Sequence, residues 1–184
     1  MSRVGKILIA HPNLPSSDWF HKTVIYIYTE KEEDGTLGLC LNMPSRTRLK
    51  DLCADKGIIY PEGYTYVNLG GPVSQSSVIM LHTDEWASAN TIEGGPGYRL
   101  SSDLQMFESL SLGDQPAYWK VFSGLCAWGP NQLDMELAGK FPYDNKNSWL
   151  TATANDDILF NYDGEEQWEK AVELSSQQMI DSYF

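Results

Sequence analysis

The chain has 184 residues, of which 42% are hydrophobic, 12% aromatic and 21% charged, and its formal net charge is −12. The apolar content excludes a disordered protein, no apolar run approaches the roughly 20 residues of a membrane helix, and the first apolar stretch, residues 7–10, is too short for a signal peptide. We therefore expect one cytoplasmic domain over residues 1–184, with neither membrane attachment nor direct nucleic-acid binding, because its negative field repels phosphate backbones.

The first half of the chain predicts a fold rich in strands. Apolar runs, mostly of β-branched and aromatic residues, predict strands at residues 5–10, 23–28, 37–42, 66–69 and 77–82. A charged turn that contains Asp34 and Gly35 joins two of these runs, so residues 23–42 should form an antiparallel hairpin. A short helix is predicted over residues 47–56. The basic cluster beside it is interpreted as a solvated loop of Arg46, Arg48 and Lys50.

The second half predicts three helices and one more strand. Ser102 and Gln105 have the spacing of a capping box, which predicts a helix that continues to about residue 112. Residues 117–123 predict a strand, Asn131 can cap a second helix, and a third helix begins after Asp163. The inward-facing residues of the first and third helices should be Leu104, Phe107, Leu110, Trp168, Ala171, Val172 and Ser175.

The cysteines and histidines predict no metal or cofactor site. Cys40, Cys53 and Cys126 are too far apart for a redox pair or for zinc-ligand spacing. We interpret them as reduced and mostly buried thiols. His11, His21 and His82 form no run typical of metal ligands, and the chain lacks the glycine-rich signatures of nucleotide binding.

Residues 124–137 (GLCAWGPNQLDMEL) form the most informative segment. Trp128 begins a Trp-Gly-Pro turn, in which glycine frees the backbone and proline restricts it. The turn leads into the predicted second helix, where Gln132 and Glu136 lie one turn apart on the same face. Two interpretations remain open for this segment. It is either a structural corner in which Trp128 covers the core, or a site that faces a ligand.

Five motifs in order along the chain resemble one protein family. They are residues 5–12 (GKILIAHP), 20–25 (FHKTVI), 38–44 (GLCLNMP), 69–73 (LGGPV) and 128–136 (WGPNQLDME). Together they resemble the AlgH/YqgE family of bacterial proteins. The resemblance spans nearly the whole chain, up to the late tryptophans Trp149 and Trp168.

The resemblance implies an α+β fold in a single compact domain, with a mixed, barrel-like β-sheet flanked by helices. The molecular activity of the family is unsettled. Its name comes from a proposed role in transcriptional control of alginate production, and the charge of this chain argues against transferring a contact with DNA. Ala127 and Asn131 stand where the family motif usually has glycines. Asparagine tolerates a left-handed backbone better than most residues, whereas alanine does not.

Three functions follow as hypotheses. The leading one is a non-enzymatic binding or regulatory module whose partner is an unknown small molecule or protein. The first alternative is a hydrolase-like enzyme that uses a thiol or a carboxylate in the region of Asn42 and Trp128. The second alternative is an acidic adaptor that engages a basic protein through residues 155–184, which hold eight acidic residues and one basic residue.

The candidate ligand-binding residues come from the family motifs, at the ends of strands or the start of a helix. They are expected to meet in one cleft or one polar seam, with Glu136 as the charged contact, because loops at such positions often carry function. The candidates are Asn42, Pro44, Gly70, Gly71, Pro72, Trp128, Gly129, Gln132 and Glu136.

Overall fold

The computed structural model describes residues 1–140 and 148–184. The strands are β1 (Lys6–Ala10), β2 (Val24–Lys31), β3 (Gly35–Cys40), β4 (Pro44–Arg48), β5 (Tyr66–Leu69), β6 (Val73–Thr83), β7 (Ile92–Glu93), β8 (Tyr98–Ser101), β9 (Trp119–Trp128) and β10 (Trp149–Thr153). The helices are α1 (Leu49–Asp55), α2 (Leu104–Ser111), α3 (Gln132–Ala138), α4 (Asp156–Phe160) and α5 (Gly164–Asp181).

The described strands form one curled sheet with the order β10-β1-β2-β3-β9-β6-β8-β7. Outside this order, β5 pairs with β9, and β4 pairs with β5. The β2–β3 pair confirms the predicted hairpin, with Ile25 opposite Cys40. The β5–β9 pair is parallel and its neighbours are antiparallel, so the sheet is mixed. With helices packed around this half-barrel, the predicted α+β class and barrel-like sheet are confirmed.

Strand β9 organises the sheet, because it pairs with three other strands. Its first half lies between β5 and β6, and its second half pairs with β3, where Gly38 faces Cys126. Gly124 marks the change of partner with a φ of 78°, a conformation that favours glycine. The strand predicted at residues 117–123 therefore continues to Trp128. The Trp-Gly-Pro turn begins at this last residue of the strand.

Helix α2 corrects two details of the prediction. Its N-cap is Asp103, whose Oδ1 accepts from the backbone N–H of Met106 at 2.9 Å, so the capping box of Ser102 and Gln105 is wrong. Leu104 is the first residue of the helix and is 54% exposed, so the prediction that it faces inward is wrong. Met106 is buried instead, with Phe107 and Leu110 as predicted.

The structure also tests the predictions for the basic cluster and for the inward-facing residues of α5. The loop predicted at the basic cluster is wrong, since Arg46 and Arg48 lie in β4 and Lys50 lies in α1. In α5, Ala171 and Ser175 are buried as predicted, whereas Trp168 and Val172 are half-buried.

Among the described residues, no helix has the length and apolarity needed to cross a bilayer.

The two faces of β1 separate two parts of the core. Ile7 and Ile9 pack with residues of α4 and α5 on one face. Leu8 packs on the opposite face, because side chains alternate along a strand. We call this second group the Leu8 cluster, whose buried members are Leu8, Ala10, Leu14, Ile25, Ile27, Cys40, Cys126, Trp128, Leu133 and Trp149. It brings the start of α3 against the sheet.

Candidate functional site

The carboxylate of Glu136, on α3, accepts hydrogen bonds from three side chains. Its Oε2 accepts from the indole Nε1 of Trp128 at 3.2 Å and of Trp149 at 3.3 Å. Its Oε1 accepts from Nε2 of Gln132 at 3.1 Å. Both indoles are buried, so Glu136 supplies the acceptor that each buried N–H requires. We call Trp128, Gln132, Glu136 and Trp149 the Glu136 cluster.

The Glu136 cluster also holds the turn that precedes α3. The side-chain Oε1 of Gln132 accepts from the backbone N–H of Gly129 at 3.0 Å, and the backbone N–H of Gln132 donates to the carbonyl O of Gly129 at 3.0 Å. Asn131 occupies the N-cap position of α3 as predicted, but its side chain makes no capping hydrogen bond. Gln132 stabilises the turn in its place.

Asn42, directly after β3, is buried and fully engaged in hydrogen bonds. Its Oδ1 accepts from the backbone N–H of Val24 at 2.9 Å. Its Nδ2 donates to the carbonyl oxygens of Lys22 at 2.8 Å and Gly164 at 2.9 Å. These contacts join the start of β2, the end of β3 and the start of α5, so the amide of Asn42 has no donor left for a ligand.

The turn of Gly70 and Gly71 passes between β3 and β9. The carbonyl O of Gly70 accepts from the backbone N–H of Cys40 at 2.8 Å and from Sγ of Cys126 at 3.5 Å. A Cβ on Gly71 would lie 2.1 Å from the carbonyl group of Leu125, so this close approach requires glycine. We call Asn42, Cys40, Gly70, Gly71 and Cys126 the Asn42 seam.

The candidate residues therefore lie in three places, which are the Asn42 seam, the Glu136 cluster with its turn, and the protein surface. The Asn42 seam and the Glu136 cluster meet in the apolar Leu8 cluster, to which both cysteines of the seam and both tryptophans belong. Pro44, opposite Asn68 at the start of β4, is exposed. Pro72, just before β6, is also exposed. Both prolines lie on the surface, apart from the hydrogen bonds of the seam and the cluster.

The three thiols are buried and free of disulfides. Burial raises the pKa of Cys40 to about 12, and burial together with the neighbouring Cys40 raises the pKa of Cys126. Burial raises the pKa of Cys53 as well. Because the thiolate is the reactive form, these thiols stay protonated and weakly nucleophilic near neutral pH.

A cavity of about 420 Å³ lies beside the turn of the Glu136 cluster. Gly129 and Asn131 line one side of it, and Thr36 of β3 lines another. Of the candidate residues, all of which fall in the described ranges, Gly129 is the one that lines this cavity. The charged side chains around it carry both signs and are Arg3, Glu30, Lys31, Glu32 and Asp134.

Trp149 is a site residue that sequence reasoning missed. It lies 13 residues beyond Glu136, in β10, and no local pattern predicts that its indole meets the carboxylate on α3. The one available signal was its match to the late tryptophans of the resembling family. Among the described residues, no three His, Cys, Asp or Glu side chains come together in a way that could hold a metal ion.

His82 forms a second buried polar group, away from the candidate residues. Its ring nitrogens lie 2.8 Å from the carbonyl O of Thr83 and 2.8 Å from Oγ of Ser101. Burial lowers the pKa of His82, which favours the neutral ring. Both His82 and Ser101 are buried, so this pair does not present a nucleophile to solvent.

Comparison with known proteins identifies the family. A family model described as AlgH-like matches residues 7–180. The chain belongs to the AlgH-like family. A UPF0301 protein of Gluconobacter oxydans is 33% identical over 171 residues, which cover 91% of this chain and 88% of that protein. A UPF0301 protein of Mannheimia succiniciproducens is 35% identical, with 95% and 92% of the two chains covered.

Solved structures of similar proteins support the same fold. The solution structure of the AlgH protein from Pseudomonas aeruginosa matches with a TM-score of 0.75 and 28% identity, covering 92% of this chain and 87% of that one. A crystal structure of a Corynebacterium diphtheriae protein matches with a TM-score of 0.67 at 22% identity, which shows the fold alone.

The structure explains how this chain departs from the usual AlgH-like motif. Asn131 adopts the left-handed conformation, with a φ of 63°, so asparagine serves here where the family usually has glycine. Ala127 lies in β9 opposite Leu37 and has no positive φ. Alanine fits strand geometry, and asparagine adopts the left-handed conformation that the turn needs. Neither Ala127 nor Asn131 therefore disrupts the turn.

Proposed function

We propose that this member of the AlgH-like family is a non-enzymatic binding module that contacts a small polar ligand at the turn of residues 128–131. The observation that carries the proposal is the position of that turn. The Glu136 cluster fixes it from inside the protein, while Gly129 and Asn131 line a cavity of about 420 Å³ outside it. A preorganised turn beside a cavity lowers the cost of ordering a binding site.

The charges of the cavity support a zwitterionic ligand. Arg3 pairs there with Glu30 and Asp134, and Lys31 pairs with Asp34. A zwitterion carries both signs, so it can exchange with these partly exposed ion pairs without leaving a charge unpaired. In this proposal Asn131 contacts the ligand, while Gln132 and Glu136 position the turn. The Asn42 seam supports the sheet beneath, since its polar groups are already used.

The state of the thiols weighs against the hydrolase-like alternative. Cys40 and Cys126 are 0% and 1% exposed, and burial raises the pKa of both. We place the protein in a reducing cytoplasm, where three free thiols persist. We also propose that it does not bind nucleic acid directly, because its net charge of −12 repels phosphates.

A chemical-shift screen of amino acids and short peptides tests the proposal. We expect a bound zwitterion to shift the backbone amides of Thr36, Gly129 and Asn131. Asn131→Gly keeps the left-handed backbone and removes the side chain, and it should weaken binding by about tenfold. Asn13→Gly, at an exposed position, is the matched control. Shifts that avoid the cavity, or turnover of the bound compound, would contradict the proposal.

A second candidate function, the acidic adaptor, is favoured by the outer face of α5. Glu166 and Glu169 are exposed there, and within the described part of the chain neither forms an ion pair. An oligolysine probe should then bind less tightly as salt rises, because screening weakens exposed charge pairs. Glu166→Gln with Glu169→Gln should reduce that binding. Binding that is insensitive to salt would remove the adaptor hypothesis.

A further inference from the structure

A second cavity, of about 570 Å³, lies at the β1–β10 end of the sheet. Its floor is formed by two opposing pairs of the β1–β10 register, Lys6 with Thr153 and Leu8 with Thr151. These residues share one face because side chains alternate along each strand. Leu137 of α3 and Met179 of α5 form its walls. The volume falls in the range of roughly 300–1,000 Å³ that is typical of small-molecule sites.

Lys6 places a positive charge at one end of this cavity. Its Nζ donates to Oγ1 of Thr153 at 2.6 Å, and an ammonium group has three donors, so two remain. The ion pairs found in the described ranges involve other cations and leave Nζ of Lys6 with no carboxylate oxygen within 4.0 Å. Lys6 therefore brings to the cavity a positive charge that no carboxylate of the described residues pairs.

The neighbouring cation is already neutralised. Arg3 also lines the cavity, but its guanidinium forms ion pairs with Glu30, at 3.6 Å, and with Asp134. Of the side chains that line the cavity, Lys6 is therefore the one whose cation is left for a ligand. A single positive charge matches a monoanion better than a phosphate, which carries close to two negative charges at neutral pH.

The cavity has one apolar side. Leu137 and Met179 line this side, next to the fully buried Leu8, and hydroxyl and amide side chains line much of the rest. Methionine is flexible and fills irregular gaps, so the wall at Met179 can adapt to aliphatic chains of different length. An apolar tail placed here would bury its surface, while a carboxylate on the same molecule would reach Nζ of Lys6.

The walls are held in place before any ligand binds. Oγ of Ser175 donates to the carbonyl O of Thr151 at 2.9 Å. The side chain of Gln178 pairs with both backbone groups of Thr153, at 2.7 Å from the N–H and 3.0 Å from the carbonyl O. These bonds fix α5 against the edge of β10, and preorganisation of this kind favours binding.

We propose that this cavity binds an amphipathic monocarboxylate, with its carboxylate on Nζ of Lys6 and its aliphatic tail against Leu137 and Met179. The site adjoins the cavity beside Gly129, because Met1, Ser2 and Arg3 line both cavities. Lys6, Leu137 and Met179 line this cavity and do not line the other, so the proposal stands whether or not a zwitterion binds beside Gly129.

Titration with sodium butyrate, hexanoate and octanoate tests the proposal, with calorimetry for affinity and amide shifts of Thr151 and Thr153 for location. We expect affinity to rise by about fourfold for each added methylene, as the tail buries more apolar surface. Octylamine carries the same tail with the opposite charge and should bind at least about tenfold more weakly than octanoate.

Variants of Lys6 separate charge recognition from simple apolar binding. Lys6→Gln should weaken octanoate binding by about tenfold, and Lys6→Arg should retain it. Lys50→Gln removes the same charge from exposed α1 and should bind as the wild type does. If Lys6→Gln fails to fold, Met179→Glu, at a position that is 56% exposed, serves the same purpose by adding a repelling carboxylate.

Three binding results would overturn the proposal, and one NMR result would do the same. They are the absence of saturable octanoate binding to the wild type, equal affinity for octanoate and octylamine, and octanoate binding that a folded Lys6→Gln or Met179→Glu variant retains in full. Amide shifts confined to the cavity beside Gly129 would equally exclude this site.

Discussion

The Glu136 cluster and the Asn42 seam both contain candidate residues from the family motifs, and they differ in what surrounds those residues. In the seam, Asn42 and Gly70 bind backbone groups that come from distant parts of the chain, such as Val24 and Gly164. In the cluster, Gln132 and Glu136 are half-buried and hold a turn whose outer side lines a cavity. A motif residue can therefore serve either stability or binding. A buried residue whose polar groups are all hydrogen-bonded serves stability, whereas a half-buried residue beside a cavity can serve binding.

Alkylation of the thiols tests whether the seam is closed. Since burial raises the pKa of Cys40 to about 12, its thiolate fraction at pH 7 is about a thousandfold below that of an ordinary cysteine. We expect iodoacetamide to modify Cys40 at least about a thousandfold more slowly in the native protein than in urea. Raising the pH to 9 should leave the native rate low, because the thiol stays protonated well below its raised pKa. Rapid native labelling of Cys40 would show that the seam opens to solvent.

Substitution of Gly71 tests the packing of the seam. In Gly71→Ala the new Cβ would lie 2.1 Å from the carbonyl group of Leu125, and a backbone group cannot move aside cheaply. We expect the free energy of unfolding in urea to fall by about 3 kcal/mol. Gly63→Ala is the matched control, because a Cβ there meets nothing within 4 Å. Equal unfolding midpoints for the two variants would contradict this account.

Removal of the Asn42 amide tests the hydrogen bonds of the seam. Asn42→Ala leaves the N–H of Val24 and the carbonyl of Gly164 without their partner, so we expect a loss of about 2 kcal/mol in the free energy of unfolding. Asn13→Ala, at an exposed position, should change stability by less than about 0.5 kcal/mol. If the two variants were equally stable, the seam would not be the structural element described above.

The sequence predicted those strands whose own residues form a clear apolar pattern. The hairpin of β2 and β3 was predictable because both strands are nearly continuous apolar runs around an Asp-Gly turn. Strands β7 and β8 were not, since β7 has two residues and β8 contains Arg99 and Ser101. Pairing with β6, where Leu81 lies opposite Leu100, makes β8 a strand.

The same limit applies to the candidate site. Helical spacing predicted that Gln132 and Glu136 share one face, and their 3.1 Å hydrogen bond confirms it. The approach of Trp149 to Glu136 and of Gly70 to Cys126 depends on tertiary contacts between separate elements. No spacing along the chain contains that information, so the division of the motif residues into a seam and a cluster required the structure.

The smallest effect is expected in the cluster, from Glu136→Gln. An amide oxygen in the place of Oε2 can still accept from the indoles of Trp128 and Trp149. The amide NH₂ would then face Nε2 of Gln132, a second donor, so one hydrogen bond is lost. Gln132 cannot reverse its amide without releasing the N–H of Gly129.

We therefore expect Glu136→Gln to lower the free energy of unfolding by about 1 kcal/mol, roughly half the loss for Asn42→Ala. In NMR spectra the backbone amide of Gly129 should shift, while the indole signals of Trp128 and Trp149 stay near their wild-type positions. Glu166→Gln, on the exposed face of α5, is the matched control and should leave both stability and these signals unchanged. A loss as large as that of Asn42→Ala, with displaced indole signals, would show that the cluster is a second structural seam. The turn beside the cavity would then be no better suited to binding than the Asn42 seam.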